Sequence, residues 1–133
     1  MRYLLDTDTC IGVLRDATRV AGRLREHSPA DLAVASMTLA ELLFGARNSR
    51  RQQDAQARVA AFLDAPLWIV PFDTEAARHY AEIRFALKAT PIGTADLLIA
   101  STARANRLVV VTGNEREFGR VPGLAVENWL RGP

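Results

Sequence analysis

Cysteine, histidine and lysine are scarce in this 133-residue chain, and each scarcity closes off a kind of chemistry. The one cysteine, Cys10, permits no internal disulfide; in an apolar helical segment it reads as core, in a protein of a reducing compartment. The two histidines, His27 in a loop and His79 on an amphipathic helix, fall away from every acidic motif. Zinc, which favours His and Cys, is therefore not expected. No run approaches the ~18 apolar residues of a membrane span. Asp6 and Asp8 interrupt the only early window that could resemble a signal peptide, so a cytoplasmic protein without membrane attachment is expected. Gly-x-Ser-x-Gly, P-loop and Gly-x-Gly-x-x-Gly patterns are all missing, which argues against serine hydrolase and nucleotide-binding chemistry. Lysine occurs once, at Lys88, and the other sixteen of the 17 cations are arginine. The planar Arg fork suits phosphate or carboxylate partners, although a GC-rich genome gives the same bias.

What is present fits one domain over residues 1–133, a length ordinary for a single core. Tyr3-Leu4-Leu5, Leu32 to Ala35, Leu67 to Pro71, Leu108 to Thr112 and Leu124 to Glu127 read as short strands. Helical spacing links Ile11, Val13, Leu14, Val20, Ala21 and Leu24. It recurs in Leu39, Leu42 and Leu43 behind a cap candidate at Thr38, and from Gln52 to Asp64. Asp73 is placed to cap a helix reaching Ala89, and Thr94 to cap another running from Ala95 to about Asn106. Strands alternating with helices predict an α/β fold, a three-layer α/β/α sandwich on a mainly parallel sheet of about five strands.

Ligands of such a sheet bind beyond the carboxyl ends of its strands. Asp6 and Asp8 follow the first strand, Glu41 lies in the first turn after the second, Asp96 opens a helix, and Asn114 follows the fourth strand. Each has an innocent reading. Thr38 and Glu41 match a capping box, Asp96 complements a helix dipole, and Asp6 can begin a turn. Gathered at one edge, however, carboxylates without a fixed cation raise one another's pKa and destabilise the fold. Oxygen ligation by carboxylate and water suits Mg²⁺, with Mn²⁺ as a substitute, and such a metal at an open groove serves hydrolysis of a phosphodiester. Haloacid-dehalogenase-type phosphatases share an opening strand and Asp-x-Asp. Here Cys10 occupies their Thr or Val position, and Lys88 is the only lysine for their phosphate site.

The blocks LLDTDTCI, SMTLAELLFGA, FDTEAARHYAEIR, PIGTADLLIASTA and LVVVTGNEREFGRVPGLAVENW, in that order, resemble a PIN domain of the VapC-like toxin type along the whole chain. The resemblance implies a Mg²⁺-dependent endoribonuclease that cuts transfer or ribosomal RNA, blocks translation, and is held inactive by a small VapB-like antitoxin. Asp6, Glu41 and Asp96 match the family's acidic triad as catalytic residues and metal ligands, Glu41 directly or through water. The fourth acidic position of many relatives falls on Asn114, with Glu117 one turn on as its alternative. Thr7, Asp8, Thr38 and Thr112 match positions that orient ligands or metal-bound water. Arg47, Arg50 and Arg51 are candidate phosphate contacts. The resemblance further implies a homodimer that joins the antitoxin in a hetero-oligomer. Trp68, Phe85 and Trp129 are the aromatics available for an interface or for the core. The contrasting reading is a PIN-like module that binds antitoxin and nucleic acid without cutting, since Asn114 leaves the acid group one charge poorer.

Overall fold

A computed structural model describes residues 1–15 and 18–130, the side chains of 18–21 excepted. Five strands, β1 (Tyr3–Leu5), β2 (Leu32–Ala35), β3 (Trp68–Val70), β4 (Val109–Val111) and β5 (Val126–Glu127), form one sheet in the order β3-β2-β1-β4-β5. Every neighbouring pair is parallel. The helices are α1 (Thr7–Leu14), α2 (Thr18–Arg25), α3 (Ser36–Arg47), α4 (Gln52–Asp64), α5 (Thr74–Ala86), α6 (Thr94–Ala105) and the single turn α7 (Glu115–Phe118).

Strand alternation divides the apolar residues between two helical layers. Tyr3, Leu5, Leu32, Val34 and Val111 face one way and pack with Cys10, Leu42, Ala46 and Val59 of α1, α3 and α4. Leu4, Ala33, Ala35 and Val110 face the other way, against Ile83 of α5, Leu97, Ile99 and Ala100 of α6, and Phe118 of α7. The inner strands β1, β2 and β4 are covered on both faces, which is why they read as continuous apolar runs, whereas the edge strand β3 leaves Trp68 and Ile69 exposed. Cys10 is fully buried. Leu24 of α2 packs on the first layer; the inward placement expected for Val20 and Ala21 lies outside the described residues.

From β1 the chain steps outward to β2 and β3, then crosses back to lay β4 on the opposite side of β1. Strand order therefore reverses between β1 and β4, and the crevice at their carboxyl ends is the natural ligand site of an open parallel sheet. The return path runs through the α5–α6 pair. Arg104 on α6 ties it together, donating from Nε to His79 Nδ1 at 2.7 Å and from a terminal nitrogen to the Pro122 carbonyl at 3.1 Å, while pairing with Glu82. His79 is thus a structural acceptor on α5.

Three helix boundaries differ from the sequence reading. Ala35 ends β2 in an extended conformation that also serves as the cap position of α3, so Thr38 lies inside the helix instead of capping it. Gly93, also extended, takes the same role for α6, and Thr94 becomes its first residue. Helix α5 does begin at an Asp73 cap, whose Oδ1 accepts the Ala76 N–H at 2.9 Å. It stops at Ala86, short of Ala89, with Leu87 in the cap position.

Candidate active site

Asp6 is the first residue beyond β1 and the N-cap of α1, so the chain turns from strand to helix on this carboxylate. It is 3% exposed. One oxygen accepts the Thr9 N–H at 2.9 Å and the other accepts the Thr112 hydroxyl at 2.5 Å. Thr112, just past β4, in turn accepts the Asn114 N–H at 2.8 Å. Thr9 adds a second tie across the crevice, from its hydroxyl to the Val111 carbonyl at 3.1 Å. The innocent and the functional readings of Asp6 are thus compatible: two bonds fix the carboxylate, and an ionised carboxylate offers about four lone-pair sites.

Burial raises the pKa of Asp6 more than the Thr112 and Thr9 hydrogen bonds lower it, and the nearby Asp8 charge raises it further. Asp96 lies in the first turn of α6, which starts at the same edge because the helix runs back to feed β4. Burial raises its pKa first, and the negative charges of Asp6, Glu117 and Asp8 add to the rise. The charges of Asp6, Asp8 and Glu117 therefore bear on Asp96 at the crevice, and that of Asp8 on Asp6. Among the described residues no Lys or Arg pairs with Asp6, Asp8 or Asp96; Glu117 has Arg120 at 3.9 Å. No three acids converge into a ready metal cage among the described residues.

The remaining predicted residues divide in two. Thr38 is fully buried and its hydroxyl meets that of Thr7 at 3.2 Å, joining α3 to α1 beside the acids. Asn114 stands at the cap position of α7, and its side chain makes no capping bond. Glu117, one turn on, is the member of that pair whose charge reaches Asp96. Glu41 is exposed in the second turn of α3, where the sequence reading had the first, because the helix begins at Ser36. It lines a groove with Ile11, Arg15 and Arg58, and its charge is not among those that act on Asp6 or Asp96. The capping box is not formed, since Thr38 is no cap. Arg47 ends α3, and Arg50 and Arg51 follow in the α3–α4 joint. Twelve residues of helix span roughly 18 Å, so these arginines stand a helix length from the end of α3 that meets Thr7.

Two contributors were missed by sequence reasoning. Thr9 was findable, because an Asp cap calls for an N–H three residues on. Arg120 was not: it donates to the Thr90 hydroxyl at 2.6 Å and to the Thr90 carbonyl, linking α7 to the loop before α6 across thirty positions.

The PIN domain family model matches residues 3–124. The tRNA(fMet)-specific endonuclease VapC of Salmonella typhimurium is 37% identical over 131 residues, covering 97% of this chain and 98% of the relative. The solved structure of DNA-bound VapBC from Salmonella typhimurium superposes with a TM-score of 0.90 at 37% identity, covering 97% of this chain and 98% of that one. VapBC2 from Rickettsia felis, bound to a promoter DNA fragment, gives 0.89 at 34% identity, with coverage of 97% and 99%.

Proposed function

This chain belongs to the PIN-domain family, among its VapC ribonucleases, and on that premise we propose that it cuts RNA at the β1–β4 crevice with Asp6, Glu41 and Asp96 as catalytic acids. The observation that carries the reading is the group of acids at that crevice, with burial and mutual repulsion holding Asp6 and Asp96 above the ordinary carboxylate range. A divalent cation would offset that repulsion, and the all-oxygen donors suit Mg²⁺ or Mn²⁺ better than zinc. Asp6 and Asp96 would hold it, Glu41 through water, with Glu117 supplying the further charge that Asn114 lacks. The bound ion would supply activation of water and stabilisation of charge at phosphorus.

The protein's own part is orientation. Thr112 and the Thr9 N–H aim the Asp6 carboxylate, and the Thr7–Thr38 contact fixes the start of α1 against α3. Asp8, exposed on the first turn of α1, adds negative charge at the rim. Arg47, Arg50 and Arg51 are remote enough to serve only a long RNA, as phosphate contacts that position without reading sequence.

The substrate class we assign is transfer or ribosomal RNA, with arrest of translation as the consequence, by analogy with the tRNA-specific relative. The partner is a VapB-like antitoxin, as in the VapBC complexes of the structural neighbours. A basic side chain of that partner laid among the acids would replace metal charge and close the groove. A homodimer is supported by apolar side chains left exposed on α3, β3 and α5, among them Phe44, Trp68 and Phe85; Trp129, by contrast, is core.

The test is cleavage of total RNA by purified protein with Mg²⁺ or Mn²⁺, followed by sequencing of the new ends. Expected are discrete cuts, abolished by EDTA and by Asp6→Asn or Asp96→Asn in folded protein. Full cleavage by either variant would overturn the site, and RNA binding without any cutting would favour the binding-module reading.

A further inference from the structure

On the far side of the α6 turn that carries Asp96 lies a cavity of about 460 Å³, between α5, the 87–93 connection and α6. Its walls include Tyr80, Arg84, Leu87, Lys88, Thr94 and Leu97, with no carboxylate among the lining residues. The volume is that of a small-molecule site, about 300–1,000 Å³. Arg84 lies 5.8 Å from the Tyr80 ring centre and donates to its hydroxyl at 3.1 Å. Lys88 holds its ammonium 4.2 Å from the centre of the Phe85 ring, itself 69% exposed. Neither cation has an acidic partner among the described residues, whereas Arg78 on α5 and Arg104 in the last turn of α6 are both paired.

Two cations without an acidic partner and the half-buried ring of Tyr80 thus border the start of the helix that carries Asp96. Catalytic acids repel a polyanionic strand, so a strand that reaches them needs attraction close by. Single-stranded RNA is held by this pairing of surfaces, with bases on aromatic or guanidinium planes and phosphates on cations. The Arg50–Arg51 cluster is the poorer candidate, because Asp54 shares its surface and α3 separates it from the acids. We infer that the α5–α6 cavity is a nucleotide-binding subsite, taking one unpaired nucleotide of the RNA next to the cleaved bond, with Arg84 and Lys88 on phosphate and the base against Tyr80. The inference rests on the ribonuclease reading and extends it to substrate positioning.

The experiment compares the full chain with the double variant Arg84→Gln/Lys88→Gln and, as a control on the same helix, Arg78→Gln. Affinity for a short single-stranded RNA of mixed sequence is measured in EDTA over a range of salt, and cleavage of the same RNA in Mn²⁺. The double variant is expected to bind about tenfold more weakly, with a salt slope reduced by about 0.7 for each phosphate contact removed. Arg78→Gln is expected to match the parent in both. Equal weakening in the control, or an unchanged double variant, overturns the subsite. Cleavage that persists unchanged in the double variant does so while leaving the nuclease reading intact. Binding that depends on Arg84 and Lys88 in a protein that cuts nothing supports the subsite and sinks the nuclease reading instead.

Discussion

Thr112 shows how much of the proposed chemistry hangs on a single hydroxyl. It donates to Asp6, accepts from the Asn114 backbone, and is 1% exposed. Thr112→Val keeps the volume and removes both bonds, leaving a buried acceptor and donor without partners at about 1–3 kcal/mol. The Asp6 carboxylate loses a bond that lowers its pKa, so the acidic limb of the cleavage profile is expected to move to higher pH. A pH–rate series on the variant checks the direction; a profile that shifts down or stays put would mean Asp6 is not the titrating group. Residues of this kind were only partly legible. Asp6, Asp8, Thr112 and Asp96 stand next to strand ends or helix starts, where chemistry is easily seen in a sequence. The Thr38 and Thr94 caps were misread because the residues before them supply extended backbone at the cap positions, and side-chain type does not reveal that. Choosing between Asn114 and Glu117 required the phase of α7, a helix of four residues, too short to show a period.

Among the elements, α7 is the least tolerant of change. A Cβ on Gly119 would stand 2.5 Å from the Glu115 carbonyl oxygen, with no flexible side chain to yield. Gly119→Ala is therefore expected to cost about 1–3 kcal/mol through crowding and, by displacing the turn that carries Glu117, to lower cleavage more than it lowers the melting temperature. Gly45, inside α3 with open space around its missing Cβ, is the contrast. There alanine is expected to stabilise by roughly 0.8–1 kcal/mol, which thermal or urea unfolding would register. The sequence located β1, β2 and α4 to the residue and β4 to within one residue at each end, because apolar runs and helical periodicity are local properties. It could not locate the Arg120–Thr90 link or the α5–α6 cavity, which depend on where distant segments meet. The basic cluster at Arg47, Arg50 and Arg51 was plain in the sequence, but its distance from the acids was set by the length of α3.

At the scale of the whole molecule the acid group is a standing cost to the fold. The folded-state pKa of Asp6 and of Asp96 lies above the ordinary value, so folding favours their neutral forms. That contribution is complete below the unfolded pKa and is lost as pH rises through the folded one, leaving the ionised groups destabilising at neutral pH. In EDTA at neutral pH, Asp6→Asn and Asp96→Asn are thus expected to melt above the parent, with the gap closing as the pH is lowered. Mn²⁺ should reverse the order by binding the folded parent alone, stabilising it by about 2.7 kcal/mol at a hundred times its dissociation constant. A melting series with and without the ion decides it; variants that gain as much from Mn²⁺ as the parent would place the cation elsewhere. The hydrogen bond between Asp6 and Thr112 joins positions 106 apart. During synthesis, then, a nascent chain carries Asp6 from the start but lacks its hydroxyl partner until β4 and Thr112 have been made, so the oriented carboxylate belongs to the nearly finished chain alone.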